Sequence, residues 1–130
     1  MTTDLTYLAW TALLTASLWV PYIAAQVMSN GFLTPQNYVD PKPRPVPLWG
    51  ERANRAHLNA VESFAPFAAL VLIAHVAGKA DGMTAFWAMS FFWLRLAHAV
   101  VYWLALPFVR TVIFTLGWVA VVALFIRVVW

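Results

Sequence analysis

Leu5 to Met28 is a run of twenty-four residues without a single charge. A helix needs about 20 predominantly apolar residues to cross the hydrocarbon of a bilayer. Comparable runs follow over residues 52–77, 83–105 and 107–129, so most of the 130 residues are committed to membrane-crossing helices. Composition agrees: 63% of the chain is hydrophobic and only 10% charged, against about 25% charged in a soluble domain. The eight Trp and nine Phe suit the aromatic belts of membrane interfaces. The expected architecture is all-α: one integral membrane domain over residues 1–130, a four-helix bundle with spans at about 5–28, 52–77, 83–105 and 107–129.

Punctuation within the chain supports this division. Pro21 predicts a kink in the first span, and Asn30-Gly31 its end, with Gly31 suited to a left-handed cap. Gln26 is either an interfacial anchor or a site residue. Residues 32–50 read as a loop holding five of the eight prolines: Pro35, Pro41, Pro43, Pro45 and Pro47. Its PKPRPVP run favours extended geometry, and Trp49 anchors the return to the membrane. Pro66 predicts a bend in the second span. Lys79 to Gly82 reads as a tight turn, and Pro107 as the first turn of the fourth span. Asp4 and the lack of a basic leader argue against reading the first span as a signal peptide.

Lysine and arginine set the expected orientation. Lys42, Arg44, Arg52, Arg55 and Arg110 fall on the side of the long loop, and only Lys79 and Arg127 on the other. Loop 29–51 is therefore expected in the cytoplasm and both termini on the opposite side. The net charge of +3 is topology charge and does not mark a nucleic-acid surface. With no cysteine, thiolate metal sites and a cysteine nucleophile are excluded.

The chemistry concentrates in ERANRAHLNAVESFAPF, Glu51 to Phe67. Arg52, Arg55, Asn59 and Glu62 are spaced three, four and three residues apart, which stacks them on one helix face. Such a stripe should face protein or a wet cavity, because polar groups are costly in hydrocarbon. Arg95, His98 and Tyr102 make a second face on the third span. Arg95 is nearly central, where an unpaired arginine costs at least about 2.5–3.5 kcal/mol, and Glu62 is the one acid inside any span. Counted inward from the cytoplasmic ends, Glu62 lies about 9 Å deep and Arg95 about 14 Å. An interhelical Glu62–Arg95 contact, direct or through one water, is expected. His98, Tyr102, Asn59, Arg55, Arg52 and Arg110 gather above it. That group suits an anionic ligand with several carboxylates and an amide backbone. Three arginines with only His57 and His98 to ligate do not suit a divalent metal. No Gly-rich phosphate loop is present, and Ser63, beside Glu62 in sequence, points elsewhere on the helix and forms no triad. His75 reads as an interfacial residue.

These residues resemble the signature of the MAPEG family, membrane-associated proteins in eicosanoid and glutathione metabolism. The pattern R-A-x-x-N-x-x-E, then an aromatic and a proline, is met by Arg55, Ala56, Asn59, Glu62, Phe64 and Pro66. A second block, R-x-x-H-x-x-x-Y with Pro and Arg following, is met by Arg95, His98, Tyr102, Pro107 and Arg110. The resemblance covers all four spans. It implies a homotrimer that binds glutathione between subunits near the cytoplasmic face, with Arg52, Arg55, Asn59, Glu62, Arg95 and His98 as binding residues. It further implies Arg110 and Tyr102 as the catalytic groups at the sulfur. Gln26 stands where some family enzymes carry arginine, and Ser63 where the leukotriene-forming synthase has tyrosine. The implied activity is that of a membrane glutathione transferase or peroxidase acting on a lipophilic second substrate from the bilayer. Two other readings stay open: a non-catalytic binder of glutathione or another anion, and a small transporter or assembly protein. Small proton-coupled exporters carry an acid in their first span, and this first span has none.

Overall fold

The computed structural model describes residues 1–40 and 42–130; Pro41, part of the proline run, lies outside the described residues. Among the described residues six helices follow one another: α1 (Thr3–Ser17), α2 (Trp19–Asn30), α3 (Pro35–Val39), α4 (Leu48–Val76), α5 (Gly82–Trp103) and α6 (Val109–Val129). α1 and α2 together make one candidate span, and α4, α5 and α6 supply three more, so four segments are long and apolar enough to cross a membrane. The described residues contain no strand.

Proline and cap chemistry explain the boundaries. The first span breaks at Leu18, because Pro21 has no N–H to give to the carbonyl one turn earlier. In the stretch expected to be all loop, Pro35 starts a short helix whose cap, Thr34 Oγ1, accepts from Asn37 N–H. The last proline of the run, Pro47, is the cap position of α4, so that helix begins at Leu48, ahead of Arg52. α4 continues as helix through Pro66. It closes at Gly78 (φ 68°), whose N–H donates to His75 O while Lys79 N–H donates to Ala74 O. This left-handed closure satisfies the last carbonyls of the helix. α5 ends in the same way, but with Ala105 (φ 57°) in the left-handed position. Pro107 does not open the fourth helix as its sequence context suggests. It sits in the turn before α6, with Phe108 at φ 63° as the cap residue. The left-handed Phe108 separates the proline from the helix.

α5 is the central element and touches α1, α4 and α6, while α2 lies on α4. The core near the chain termini is Phe67, Val71, Ala88, Phe91, Ala120 and Leu124, with Phe67 and Phe91 stacked at 4.0 Å between ring centroids. A smaller cluster of Leu18, Ala60 and Ala99 holds the middle. Small residues let the backbones approach closely. A Cβ at Gly50, for example, would stand 2.6 Å from the Cβ of Ala25.

The end of the bundle with both termini is tied by polar contacts. Asp81 caps α5 by accepting from the backbone N–H of Met83 and Thr84, and Thr84 Oγ1 accepts in return from Asp81 N–H. Asp81 also pairs with Arg127 of α6, and Lys79 Nζ donates to Val128 O at 2.8 Å. Asp4 is buried, 2% exposed, with His75 Nδ1 3.6 Å from its carboxylate. His75 is thus a cross-helix contact between α4 and α1 as well as a residue near the helix end.

Candidate functional site

The opposite end, with the proline-rich loop, holds the expected site residues. α4 buries Ala53, Ala56, Ala60, Phe67, Val71 and Ala74 on one side. Its polar stripe falls on the other side, where Arg55 and Glu62 are exposed on the single subunit and Arg52 and Asn59 half-buried. One helix thus turns its small residues inward and its charged residues outward.

α5 brings Arg95, His98 and Tyr102 to the inside of the bundle, and all three are buried. The last turn of α5 and the first turn of α6 then meet across the Ala105–Phe108 turn. Arg110, the second residue of α6, lays its guanidinium over the Tyr102 ring, 4.7 Å from Cζ to centroid. Tyr102 packs edge-on against His98 at 5.5 Å, and His98 lies 6.1 Å from the Phe114 ring. These side chains, with Asn59 and Thr111, line a cavity of about 260 Å³. The two non-glycine residues with positive φ among the described residues, Ala105 and Phe108, both lie in the turn that sets Arg110 against Tyr102.

A second cavity of about 220 Å³ continues deeper between α4, α5 and α6. Asn59 and Phe114 line both. The deeper one adds Glu62, Ser63 and Arg95 to walls of Pro66, Phe91, Gly117, Trp118 and Val121. Arg95 is 3% exposed, and its Nη1 donates to Ser63 Oγ at 3.2 Å. The Phe91 and Phe114 rings flank it at 5.3 and 5.4 Å, a geometry in which a ring face attracts a cation.

Six of the expected residues, Asn59, Glu62, Arg95, His98, Tyr102 and Arg110, therefore line a pair of cavities that share Asn59 and Phe114. Arg52 and Arg55 line neither. Arg52 Nε is buried without a hydrogen-bond partner, and Arg55 is exposed. Of the expected Glu62–Arg95 contact, direct or through one water, the direct ion pair is not formed within the subunit, where ion pairs among the described residues are His75–Asp4 and Arg127–Asp81. The reason is helical phase. Glu62 and Ser63 are about 100° apart around α4, and Ser63 is the one turned toward α5.

Three contributors escaped the reading of the sequence. Ser63, which its sequence context does not mark as an arginine partner, is the hydroxyl that receives Arg95. Its hydroxyl also donates to Asn59 O or Ala60 O one turn back. Phe114 is the wall common to both cavities, and Gly117 gives the guanidinium room. A glycine in the middle of an otherwise strongly apolar span was the available signal for the last.

Four spans long and apolar enough to cross a membrane, three of which line a cavity that gathers arginine, histidine, phenol and amide, define a small helical integral membrane protein. The family model for MAPEG, the MAPEG family, matches residues 5–130. The chain belongs to that family. A comparison with curated proteins gave no match.

Proposed function

We propose that the protein is a membrane glutathione transferase or peroxidase that acts on a lipophilic electrophile or hydroperoxide. The observation that carries this reading is Arg110 lying on Tyr102 at the mouth of a cavity that also holds Asn59, His98 and Thr111. Glutathione, when bound, supplies the thiol nucleophile. A thiol with a pKa near 8.5 is mostly protonated at neutral pH, and only its thiolate attacks. Arg110 supplies a charge that does not deprotonate. It sits in the first turn of α6, where no side chain caps the helix and free N–H groups favour an anion. Tyr102 and Thr111 offer hydroxyl donors to the same atom. Asn59, Glu62, Arg95 and His98 hold the rest of the peptide: Arg95 a carboxylate, and the amide, the imidazole and Glu62 its polar backbone and amine.

Arg52, Arg55 and Glu62 support a further part of the proposal, a homotrimer with shared sites. Glu62 lies within a span and faces outward from the single subunit. A charge left in hydrocarbon costs about 2.5–3.5 kcal/mol, and a neighbouring copy covering the stripe removes that cost and brings Arg52 and Arg55 to the ligand. The loop with Lys42 and Arg44 then lies in the cytoplasm, and an apolar second substrate enters from the bilayer.

Conjugation of glutathione to chlorodinitrobenzene by purified protein, with hydroperoxide reduction alongside, tests the activity. Turnover of either substrate supports it. Binding of glutathione without turnover would leave a binding protein, and no binding would reject the reading.

A further inference from the structure

We infer that Gly117 is a positioning residue for Arg95, a role that rests on the proposed binding of glutathione in the adjoining cavities. Gly117 is buried in α6, in line with buried Ala120 and Leu124 at helical spacing, so its face is the one turned into the bundle. A glycine inside a helix is unfavourable relative to alanine. Here the missing methyl has a specific use. A Cβ at position 117 would overlap Nη2 of Arg95 and would stand 3.1 Å from Cζ and 3.3 Å from Nε.

The guanidinium ends a long side chain, and its surroundings leave it one direction in which to yield. Phe91 and Phe114 flank it, Ser63 takes Nη1, and α6 backs it. The open direction is the cavity that also holds Asn59 and Glu62. An added methyl therefore drives the cation off Ser63 and into the space the ligand needs. By having no side chain, Gly117 keeps Arg95 against the wall, where its charge is presented and the volume stays free.

The test is a cycle of four proteins in lipid nanodiscs: wild type, Gly117→Ala, Arg95→Lys and the double variant. Lysine lacks the Nη2 that the methyl would strike. Gly117→Ala is expected to raise the glutathione KM at least fivefold, with a much smaller fall in kcat, and to change KM less than twofold in the Arg95→Lys background. The Arg95 Nε resonance, assigned by its loss in Arg95→Lys, should shift in Gly117→Ala. An equal effect in both backgrounds, or no effect on wild type, would overturn the inference and leave ordinary α5–α6 packing. If wild type does not bind glutathione, the functional reading fails and the resonance alone decides: a shift upholds the positioning, an unmoved signal refutes it. If Gly117→Ala does not fold, recovery of the trimer-sized, ligand-binding species or of the folded spectrum in the double variant supports the coupling, and no recovery rejects it.

Discussion

Arg95 on α5 is held by Ser63 on α4, with Nη1 donating to Oγ at 3.2 Å, although Glu62 stands one residue away. Glu62 is exposed on the single subunit, whereas the Ser63 hydroxyl is half-buried and turned toward α5. A buried cation is thus anchored by a neutral partner, and Glu62 remains for another contact. Removing the hydroxyl leaves a buried donor without its acceptor, which costs about 1–3 kcal/mol. Ser63→Ala should lower thermal stability in detergent, and Ser63→Thr should retain most of it. For the same reason, Glu62→Arg combined with Arg95→Glu should not recover the assembly lost in either single variant. Recovery in the double variant would show that the two charges do meet.

Arg110 is expected to control the chemistry. A fall of two pH units in the thiol pKa corresponds to about 2.7 kcal/mol of thiolate stabilisation. Arg110→Ala should lose the thiolate absorbance of the bound tripeptide and at least tenfold in turnover at neutral pH. Its affinity for glutathione should change far less, and raising the pH should return part of the rate. If the absorbance and rate persist, Tyr102 becomes the activating group.

The outward charge of α4 predicts the oligomer. Native mass spectrometry in mild detergent should give three chains. Glu62→Leu should weaken glutathione binding while sparing the helical content. A stable monomer that still binds glutathione would contradict a site shared between subunits.

Orientation is open to cysteine labelling, because the chain has no native cysteine. In intact cells, a cysteine at Lys42 should be shielded from an impermeant thiol reagent and one at Lys79 labelled. The opposite pattern would invert the proposed topology.

Asp81 offers a pH test outside the spans. The Thr84 N–H, and then Arg127 and the Met83 N–H, hold its carboxyl below the ordinary value of 3.8. A folded pKa below the unfolded one means that the contribution is present above about pH 4 and lost as pH falls through the lowered value. Wild type and Asp81→Ala should therefore differ in thermal midpoint at neutral pH and converge in strong acid. Asp81→Asn, which keeps the capping oxygen, should fall between them. A difference that persists undiminished in acid would rule out the carboxylate as its source.

The extent to which the chain is legible varies from residue to residue. Pro21 announces the break at Leu18, because a missing N–H acts within one turn, whereas α4 begins directly after Pro47, inside the stretch that reads as loop. Pro107 misleads. Its φ suits a helix start, but the turn that joins α5 to α6 places Ala105 and Phe108 in left-handed conformations that no local preference would suggest. Arg95, His98 and Tyr102 announce a common face through their spacing, and that face is buried. Their partners across the bundle cannot be read in this way, since periodicity ranks residues on one helix and says nothing of the rotation of its neighbour.

Hydrophobic run length, charge count and proline position determined by themselves that this chain makes four membrane-crossing helices with a polar end. Those properties act over a single helix, and the bilayer demands them before any helix meets another. Tertiary structure alone decided that Arg95 meets Ser63 and not Glu62, that Arg110 lies on Tyr102, and that Gly117 faces the guanidinium. Each of these depends on the relative rotation of two packed helices. A turn of 100° exchanges one residue for the next, and only close packing of the small and aromatic side chains between α4, α5 and α6 selects which one is presented.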